Sequence, residues 1–151
     1  MNRKFLIITG GTGGHVIPAV NFGNYLINNN INCKIFVDRR GLKYTDKFKG
    51  KIYIIKSSNL NGNLISKFYG FSNLFYGFIQ SFGIILVLKP NKVISFGSYA
   101  SFFPMLSCAI LKFFYKIDIF IHEQNSVLGR TNSFYFYLCK KIFLNFRINS
   151  K

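Results

Sequence analysis

The sequence predicts an α/β fold of the Rossmann type, in which a doubly wound parallel sheet carries helices on its faces. Two observations support this prediction. Short apolar runs rich in β-branched residues alternate with longer helical stretches along the chain, which is the order that right-handed β–α–β crossovers require. The first run, Lys4–Thr9, also ends in the glycine cluster Gly10–Gly14, as a buried strand does when a tight turn leads it into a helix.

The remaining elements follow in that alternating order. A helix is predicted over Val16–Leu26, because apolar residues recur there at helical spacing and Pro18 falls in the first turn, where a missing N–H costs nothing. The other predicted strands are short and apolar: Cys33–Val37, Lys51–Ile55, Lys92–Phe96, Asp118–Ile121 and a sixth within Ile142–Phe146. The other predicted helices are Phe68–Leu88, Tyr99–Phe114 and Val127–Lys140.

The stretch Phe68–Leu88 contains no charged residue. Its length matches the roughly 20 apolar residues that a membrane span needs. Polar side chains interrupt it at Ser72, Asn73 and Gln80, and it also contains three glycines. We therefore expect a long helix packed on a face of the sheet, in preference to a helix lying in the membrane plane, with a true span as the last alternative.

The charge balance narrows the classes of partner. The 151 residues suffice for one domain with a core, and Lys and Arg outnumber Asp and Glu by 20 to 4, for a net charge of +16. So few carboxylates argue against a carboxylate-bridged metal centre and against hydrolysis by paired carboxylates. One explanation of the basic charge is a bias toward A/T-rich codons, which enriches Lys, Asn and Ile without any ligand. The functional alternative is a surface for anionic lipid, which we prefer to nucleic acid because no nucleic-acid motif occurs.

The three cysteines, Cys33, Cys108 and Cys139, are odd in number and widely spaced. They are typical of small buried residues in a reducing compartment and not of a disulfide framework or a zinc site. The apolar run at the N-terminus is too short for a signal peptide. We therefore expect a cytoplasmic protein.

The first glycine loop is suited to binding an anion, because glycines let the backbone approach closely and a helix N-terminus offers free N–H groups. The loop lacks the Gly-Lys-Ser/Thr of a Walker A motif. It also departs from a dinucleotide fingerprint, since Val16 holds the third glycine position. Asp38, followed by Arg39 and Arg40, nevertheless suits a ribose phosphate. A nicotinamide-dinucleotide domain of an oxidoreductase is therefore an open alternative.

Three motifs together resemble glycosyltransferase family 28, the N-acetylglucosaminyltransferases that convert lipid I to lipid II in peptidoglycan synthesis. They are Gly10–Gly14 with His15, then Gly97–Ser101 with Pro104, and finally His122–Asn125 followed by Gly129 and Thr131-Asn132. The resemblance extends from the first strand to about Phe146 and covers the N-terminal half of a family enzyme. It implies a GT-B fold of two Rossmann-like domains, with this chain as the acceptor-binding one.

The resemblance also implies substrates and residue roles. The donor would be UDP-GlcNAc, touched from across the cleft by Thr12, Gly13, Gly14 and Asn125. The acceptor would be lipid I, undecaprenyl-diphospho-MurNAc-pentapeptide, its diphosphate facing Gly10, Gly11, Gly97, Ser98, Tyr99 and Ser101. His122, Glu123 and Gln124 would support the loop that carries Asn125. Transfer would invert the anomeric centre without a metal or another cofactor, at the cytoplasmic side of the plasma membrane.

The candidate general base is His15, at the start of the first helix. A helix N-terminus disfavours the imidazolium form, and a neutral imidazole is the state that a general base needs. Asp38 and Asp46 are expected to face away from the cleft, and Asp118 to open a strand at the opposite edge. His122 and Glu123 are the remaining candidates, and we expect them to orient their own loop instead.

The sequence departs from the family pattern in two ways. Ser95 and Ser98 stand where the second loop of the family usually has glycine, so the backbone there is less free to approach a diphosphate. No donor-domain motif precedes Lys151. We therefore expect a single acceptor-binding domain over residues 1–151 without a donor domain, either a truncated product or the partner of a separate donor chain. A non-catalytic membrane-recruitment subunit of a split glycosyltransferase is a further alternative.

Overall fold

The fold is a six-stranded parallel sheet with helices on both faces, seen in a computed structural model that describes residues 4–58 and 63–147. The strands are β1 (Lys4–Ile8), β2 (Asn32–Val37), β3 (Lys51–Ile54), β4 (Lys92–Ser95), β5 (Asp118–Glu123) and β6 (Lys141–Leu144). The helices are α1 (Gly13–Asn28), α2 (Leu64–Leu88), α3 (Phe102–Leu111) and α4 (Arg130–Tyr135). The predicted fold class is confirmed.

The strand order is β3-β2-β1-β4-β5-β6, and every neighbouring pair is parallel. The order reverses between β1 and β4, which lie side by side at the centre of the sheet. Ligands of open α/β sheets bind at the carboxyl ends of the strands beside such a switch point. The turns after β1, β4 and β5 meet at this edge, so the topology alone gathers the three loops that the sequence singled out.

Alternating side chains of the central strands build two cores. Leu6 and Ile8 of β1 face one side, where they pack with Ile85 of α2 and Met105 of α3. Ile7 faces the other side, where it packs with α1. Because both faces of the central strands are buried, β1 and β4 consist of apolar residues apart from Lys4, Lys92 and Ser95, as is typical of parallel strands between two layers of helices.

All four helices differ from their predicted extent: α1 and α2 begin three and four residues earlier than predicted, and the other two helices are shorter than predicted. The stretch from Tyr99 begins as a 3-10 turn, Tyr99–Ser101, before α3 starts. The predicted helix Val127–Lys140 reduces to α4 followed by a second 3-10 turn, Phe136–Leu138. Helices α3 and α4 both begin later than predicted, because the chain first leaves the carboxyl edge of the sheet through a loop whose backbone N–H groups donate to side chains.

Helix α2 packs through one narrow stripe. Its buried residues are spaced by three or four: Gly70, Leu74, Gly77, Ser81 and Ile85. Ser81 lies against Ser107 of α3, with 3.0 Å between their hydroxyl oxygens. The expectation that this helix packs on a face of the sheet is therefore confirmed, and the packing uses this stripe of buried residues. Phe82, Ile84 and Leu88 are partly buried against the same core, whereas the aromatic side chains in the first half of α2 are exposed. Phe68–Leu88 is long and apolar enough to cross a membrane by length and composition, with 22% of it buried.

The cysteines are free, and Cys33 and Cys108 are buried as predicted, whereas Cys139 is half-buried. Burial raises the pKa of Cys33 to about 12, and it also raises the pKa of Cys108. Neither thiol forms the thiolate that reactivity requires at neutral pH. The two buried cysteines therefore serve as small core residues.

Candidate active site

A cavity of about 230 Å³ lies at the carboxyl edge of the sheet, between the turns that follow β4 and β5. Its walls bring together side chains that are far apart in sequence. They are His15, Gly97, Ser98, Tyr99, Glu123, Asn125, Gly129, Arg130, Thr131 and Asn132. Six of these ten residues, His15, Gly97, Ser98, Tyr99, Glu123 and Asn125, are predicted site residues, whereas the other eight predicted site residues do not line this cavity.

The ring of His15 is held in one tautomer. Its Nδ1 lies 2.8 Å from the carbonyl oxygen of Phe96 and 3.1 Å from Oε1 of Gln124. A carbonyl oxygen only accepts hydrogen bonds, so Nδ1 must carry the proton. In neutral His15 the lone pair is therefore on Nε2. This is the arrangement of an oriented general base, in which one ring nitrogen anchors the side chain and the other takes up a proton.

The amide of Gln124 connects the two histidines. Its nitrogen donates to the carbonyl oxygen of Phe96 at 3.0 Å and lies 3.2 Å from Nδ1 of His122. The His122 ring stacks on Phe96 with 4.6 Å between ring centroids. Burial lowers the pKa of His122, although the nearby carboxylate of Glu123 acts in the opposite direction. His122 is therefore neutral at physiological pH and accepts from Gln124 at Nδ1.

His122 does not face the cavity that holds His15. It lines a separate cavity with Phe22, Phe96 and Phe143, on the face of the sheet that α1 covers. Side chains alternate along a strand, so His122 and Glu123 at the end of β5 point to opposite faces. His122 contacts the third loop through Gln124 and through its own carbonyl oxygen, which accepts from the side-chain amide of Asn132.

Glu123 is the anchor of the third loop. Only 1% of it is exposed. Its Oε1 accepts from the backbone N–H and the side-chain amide of Asn125, at 3.1 and 3.0 Å. Its Oε2 accepts from the N–H of Gly129 and the side-chain amide of Asn132, both at 2.9 Å. Burial alone would raise the pKa of Glu123, but these donors together hold it below its usual range. Glu123 is therefore an ionised positioning group.

Asp38 corrects one expectation. The sequence suggested that it faces away from the cleft, yet it is buried beneath the first glycine loop, and its Oδ1 accepts from the N–H of Gly11 at 2.7 Å. Oδ1 also accepts from the N–H of Gly41, and Oδ2 from Nε of Arg40 and the hydroxyl of Ser57. Burial would raise the pKa of Asp38, but the hydrogen bonds from Gly11, Arg40 and Gly41 lower it below its usual range.

The same contacts bear on the dinucleotide alternative. In that reading, the acidic residue after the second strand would bind the ribose hydroxyls of the cofactor. Both oxygens of Asp38 already accept from protein donors, and only 2% of the residue is exposed. No acceptor is left for a ribose at this position, so the alternative loses the residue that favoured it.

The second loop lies against the first. Ser98 has a φ of +79°, a conformation that favours glycine, and its hydroxyl accepts from the N–H of Ala100 at 3.3 Å. A Cβ on Gly11 would approach the hydroxyl oxygen of Ser98 to 2.9 Å. The two loops therefore touch at Gly11 and Ser98, which places Ser98 and Tyr99 at the cavity wall.

Ser101 and Gly10 are interior residues, which corrects their expected contact with a diphosphate. The hydroxyl of Ser101 is fully buried, and it lies 2.7 Å from the carbonyl oxygens of Gly97 and Ser98. A Cβ on Gly10 would approach Ala100 to 2.7 Å. Both residues brace the meeting of the loops. The side chain of Thr12 and the backbone of Gly13 and Gly14 form the start of α1 outside this cavity.

Arg130 is a site residue that the sequence reasoning missed. Among the described residues that line the cavity, it is the one cation. Glu123, the one carboxylate in the lining, already accepts from four donors, so Arg130 is the charged group of the cavity that is open to an anionic ligand. The signal lay in the sequence, since Arg130 stands between Gly129 and Thr131 of the third motif. Among the described residues, no group of three or more His, Cys, Asp or Glu is placed to hold a metal ion.

Comparison with known proteins agrees with this geometry. The chain matches the glycosyltransferase family 28 N-terminal domain over residues 5–144. Two relatives are named UDP-N-acetylglucosamine--N-acetylmuramyl-(pentapeptide) pyrophosphoryl-undecaprenol N-acetylglucosamine transferase. The one from Wolbachia sp. subsp. Drosophila simulans (strain wRi) is 38% identical over 93% of this chain and 38% of the relative. The one from Rickettsia canadensis (strain McKiel) is 31% identical over 96% of this chain and 39% of the relative.

A solved structure shows the same fold. The crystal structure of Acinetobacter baumannii MurG superposes with a TM-score of 0.83 at 24% identity, over 99% of this chain and 43% of that one. The chain thus spans about two fifths of the length of the proteins it matches. The resemblance found in the three motifs is confirmed.

Proposed function

Because the chain belongs to glycosyltransferase family 28, we propose that it is the acceptor-binding half of an enzyme that transfers GlcNAc from UDP-GlcNAc to lipid I. A donor-binding half would come from the rest of a longer polypeptide or from a separate chain. The product would be lipid II. The names of the relatives support the choice of substrates, since each names both a UDP-linked donor and a pyrophosphoryl-undecaprenol acceptor.

The observation that carries this proposal is the hydrogen bond that fixes the tautomer of His15 beside the cavity between the turns after β4 and β5. In the proposed reaction, an acceptor hydroxyl oxygen bonds to the anomeric carbon of the donor from the face opposite UDP. The hydroxyl proton moves to Nε2 of His15. The bond from the anomeric carbon to the phosphate oxygen breaks, and UDP leaves with the electron pair. The imidazolium is stabilised by the Phe96 carbonyl at Nδ1.

The remaining residues have roles that follow from their contacts. Glu123 holds Asn125 at the cavity wall, where it meets the donor sugar nucleotide. Arg130 attracts a diphosphate, because guanidinium and phosphate form charge-assisted hydrogen bonds. Gly11, Ser98 and Tyr99 meet the acceptor diphosphate where the two loops touch.

The test is a transfer assay with the chain joined to the donor-binding half of a family relative. We expect His15→Ala to lower kcat by roughly 10²–10⁴, the value of a positioned base, with a smaller change in the KM for UDP-GlcNAc. Tyr25→Ala is the matched control, because Tyr25 is exposed on the same helix and lies outside the cavity. Near-normal turnover of the His15→Ala enzyme would refute the assignment of the base.

The 151-residue chain by itself should form no lipid II. A half without its partner cannot enclose the donor beside the acceptor, and such positioning contributes roughly 7–11 kcal/mol to lowering a barrier. Measurable lipid II formation by the purified chain, free of host enzyme, would overturn this expectation.

We also propose that α2 lies on the cytoplasmic side of the plasma membrane as a peripheral contact. Exposed aromatic residues concentrate in its first half: Phe68, Tyr69, Phe71, Phe75 and Tyr76. This half lies at the carboxyl edge of the sheet, because α2 returns antiparallel to β3 and meets the end of that strand at Gly77. Aromatic residues partition well into a membrane interface, and the charge of +16 adds attraction to anionic lipid.

Vesicle co-sedimentation tests this membrane contact. We expect binding to anionic vesicles that weakens with salt, and we expect Phe71→Ser with Phe75→Ser to weaken binding to neutral and anionic vesicles alike. Phe113→Ser with Phe114→Ser is the control, because these exposed rings follow α3 at the opposite edge of the sheet. If the Phe71/Phe75 variant and the Phe113/Phe114 control lose vesicle binding equally, α2 is not the membrane contact.

A further inference from the structure

A second cavity opens at the carboxyl edge of the sheet, beyond the ends of β2 and β3. Its volume is about 600 Å³. Its walls include Arg39 and Arg40 after β2, Lys56 and Ser57 after β3, and Asn73 of α2. Asp38 separates it from the first glycine loop, since its two carboxylate oxygens bond to Gly11 on one side and to Arg40 and Ser57 on the other. The proposed transfer reaction makes no use of this cavity.

The cavity is positively charged. Three cations line it, Arg39, Arg40 and Lys56, against the one carboxylate of Asp38. That carboxylate is buried and accepts from four protein donors, so it takes little part in a contact with a ligand. Hydroxyl and amide groups of Ser57 and Asn73 also lie in the wall. Cations interspersed with neutral donors are the environment that a phosphate group prefers.

The wall that carries Lys56 is fixed in place. A Cβ on Gly77 would come within 2.1 Å of the Lys56 carbonyl oxygen, so only glycine lets α2 approach the end of β3 this closely. Gln80 accepts from the N–H of Lys56 at 3.1 Å and donates to the carbonyl oxygen of Ile54 at 2.9 Å. The Lys56 ammonium lies 4.9 Å from the centroid of the Tyr76 ring. The cation is thus held between the cavity and the exposed aromatic side of α2.

We propose that this cavity binds a phosphate ester at the head of a lipid. The phosphate meets Arg39 and Lys56, and the apolar tail lies along the exposed aromatic rings of α2 beside Tyr76. The inference rests on the proposed membrane contact of α2 and adds to it a defined head-group site. Two lipids carry the required chemistry, an anionic phospholipid of the bilayer and a polyprenyl diphosphate.

The experiment measures partitioning of the 151-residue chain onto three kinds of vesicle. They contain phosphatidylcholine alone, phosphatidylcholine with phosphatidylglycerol, or phosphatidylcholine with a polyprenyl diphosphate. The test variant is Arg39→Gln with Lys56→Gln. The control is Lys34→Gln with Lys51→Gln, which removes the same charge from paired positions of β2 and β3 outside the cavity. Arg39→Lys with Lys56→Arg keeps the charge and checks that the substitutions are tolerated.

We expect the test variant to lose about 10-fold to 30-fold in binding to at least one kind of charged vesicle, the effect of two basic residues at an anionic surface. The control should lose less than about threefold, and the charge-preserving variant should bind like the parent. A loss confined to phosphatidylglycerol vesicles assigns the site to bulk lipid, and a loss confined to diphosphate vesicles assigns it to the polyprenyl lipid.

Equal losses for the test and control pairs in both charged vesicles would overturn the proposal, because binding would then follow net charge alone. The aromatic variant Phe71→Ser with Phe75→Ser separates this failure from failure of the membrane contact itself. If that variant weakens binding while the test and control pairs behave alike, α2 is the membrane contact and the cavity is not a head-group site.

Discussion

Two buried carboxylates hold the loops at the carboxyl edge of the sheet, and they do so in different ways. Glu123 accepts only from neutral donors, all within nine residues of it along the chain. Asp38 reaches Gly11, which is 27 residues away, and also pairs with the cation of Arg40 at 2.7 Å. One carboxylate therefore organises its own loop, whereas the other joins two separate loops of the fold.

Because the two carboxylates have different partners, the third loop and the first loop should respond differently when the carboxylate of Glu123 or of Asp38 is removed. Glu123 is 1% exposed, and without its carboxylate the equally buried side-chain amide of Asn132 keeps only the carbonyl oxygen of His122 as an acceptor. One unsatisfied buried donor costs about 1–3 kcal/mol. Asp38 has a partner, Arg40, whose side chain is 48% exposed and can be solvated when the pair is broken. The third loop should thus be more sensitive than the first.

Glu123→Gln should produce the largest effect of the changes considered. In the variant, an amide NH2 group replaces one carboxylate oxygen, so a donor faces N–H groups that need an acceptor. We therefore expect a loss of about 2–4 kcal/mol in the free energy of unfolding. Urea denaturation measures it. The control is Asp118→Asn, whose partner Lys140 lies at the surface, with an expected loss of about 1 kcal/mol or less. Equal losses would show that Glu123 is not the anchor of its loop.

Asp38→Asn should have a smaller effect, about 1–3 kcal/mol, because an asparagine oxygen still accepts from Gly11 or Gly41 and Arg40 gains water. Amide hydrogen exchange gives a local readout. Exchange of the Gly11 N–H should accelerate, while that of Gly129 should be unchanged. Unaltered protection of Gly11 would contradict the link between Asp38 and the first loop.

Acidification should weaken the fold through both carboxylates. Their pKa values lie below the usual range in the folded chain, so the unfolded chain takes up protons first as the pH falls. The stabilisation is complete above about pH 5 and is lost as the pH drops through the folded-state pKa values. Burial lowers the pKa of His122, which adds a loss that begins below about pH 6.5.

Urea unfolding at a series of pH values measures this dependence. The Glu123→Gln variant should show a shallower fall in unfolding free energy below about pH 5 than the parent chain, because one of the two carboxyls is gone. An identical slope for the two chains would contradict the lowered pKa of Glu123.

Ser98→Gly should have the smallest effect. Glycine relieves the cost of a φ of +79°, but it removes the hydroxyl that caps the Ala100 N–H and makes the unfolded chain more flexible. We expect a change within about 1 kcal/mol in either direction. Thermal unfolding measures it, with Ser98→Ala as the control, which keeps the strain and loses the cap and should therefore be less stable than the glycine variant.

The contrast between the two carboxylates also explains which features could be predicted from the sequence and which could not. The strands, the glycine turn and the supporting role of Glu123 depend on neighbours along the chain, and these predictions are in accord with the structure. The position of Asp38 depends on Gly11 across the sheet edge, so the sequence placed it wrongly. The burial of Ser101 and the role of Arg130 in the cavity depend likewise on tertiary contacts.

The central claim is that the fold presents His15 as a base, with Nδ1–H bonded to the Phe96 carbonyl and the lone pair on Nε2. Long-range proton–nitrogen NMR correlation of the histidine rings measures the tautomer directly in the 151-residue chain at a pH where both histidines are neutral. The account predicts a protonated Nδ1 and an unprotonated Nε2 for His15, with an exchange-protected Nδ1 proton that Gln124→Ala makes less protected. A protonated Nε2 on neutral His15 would contradict it.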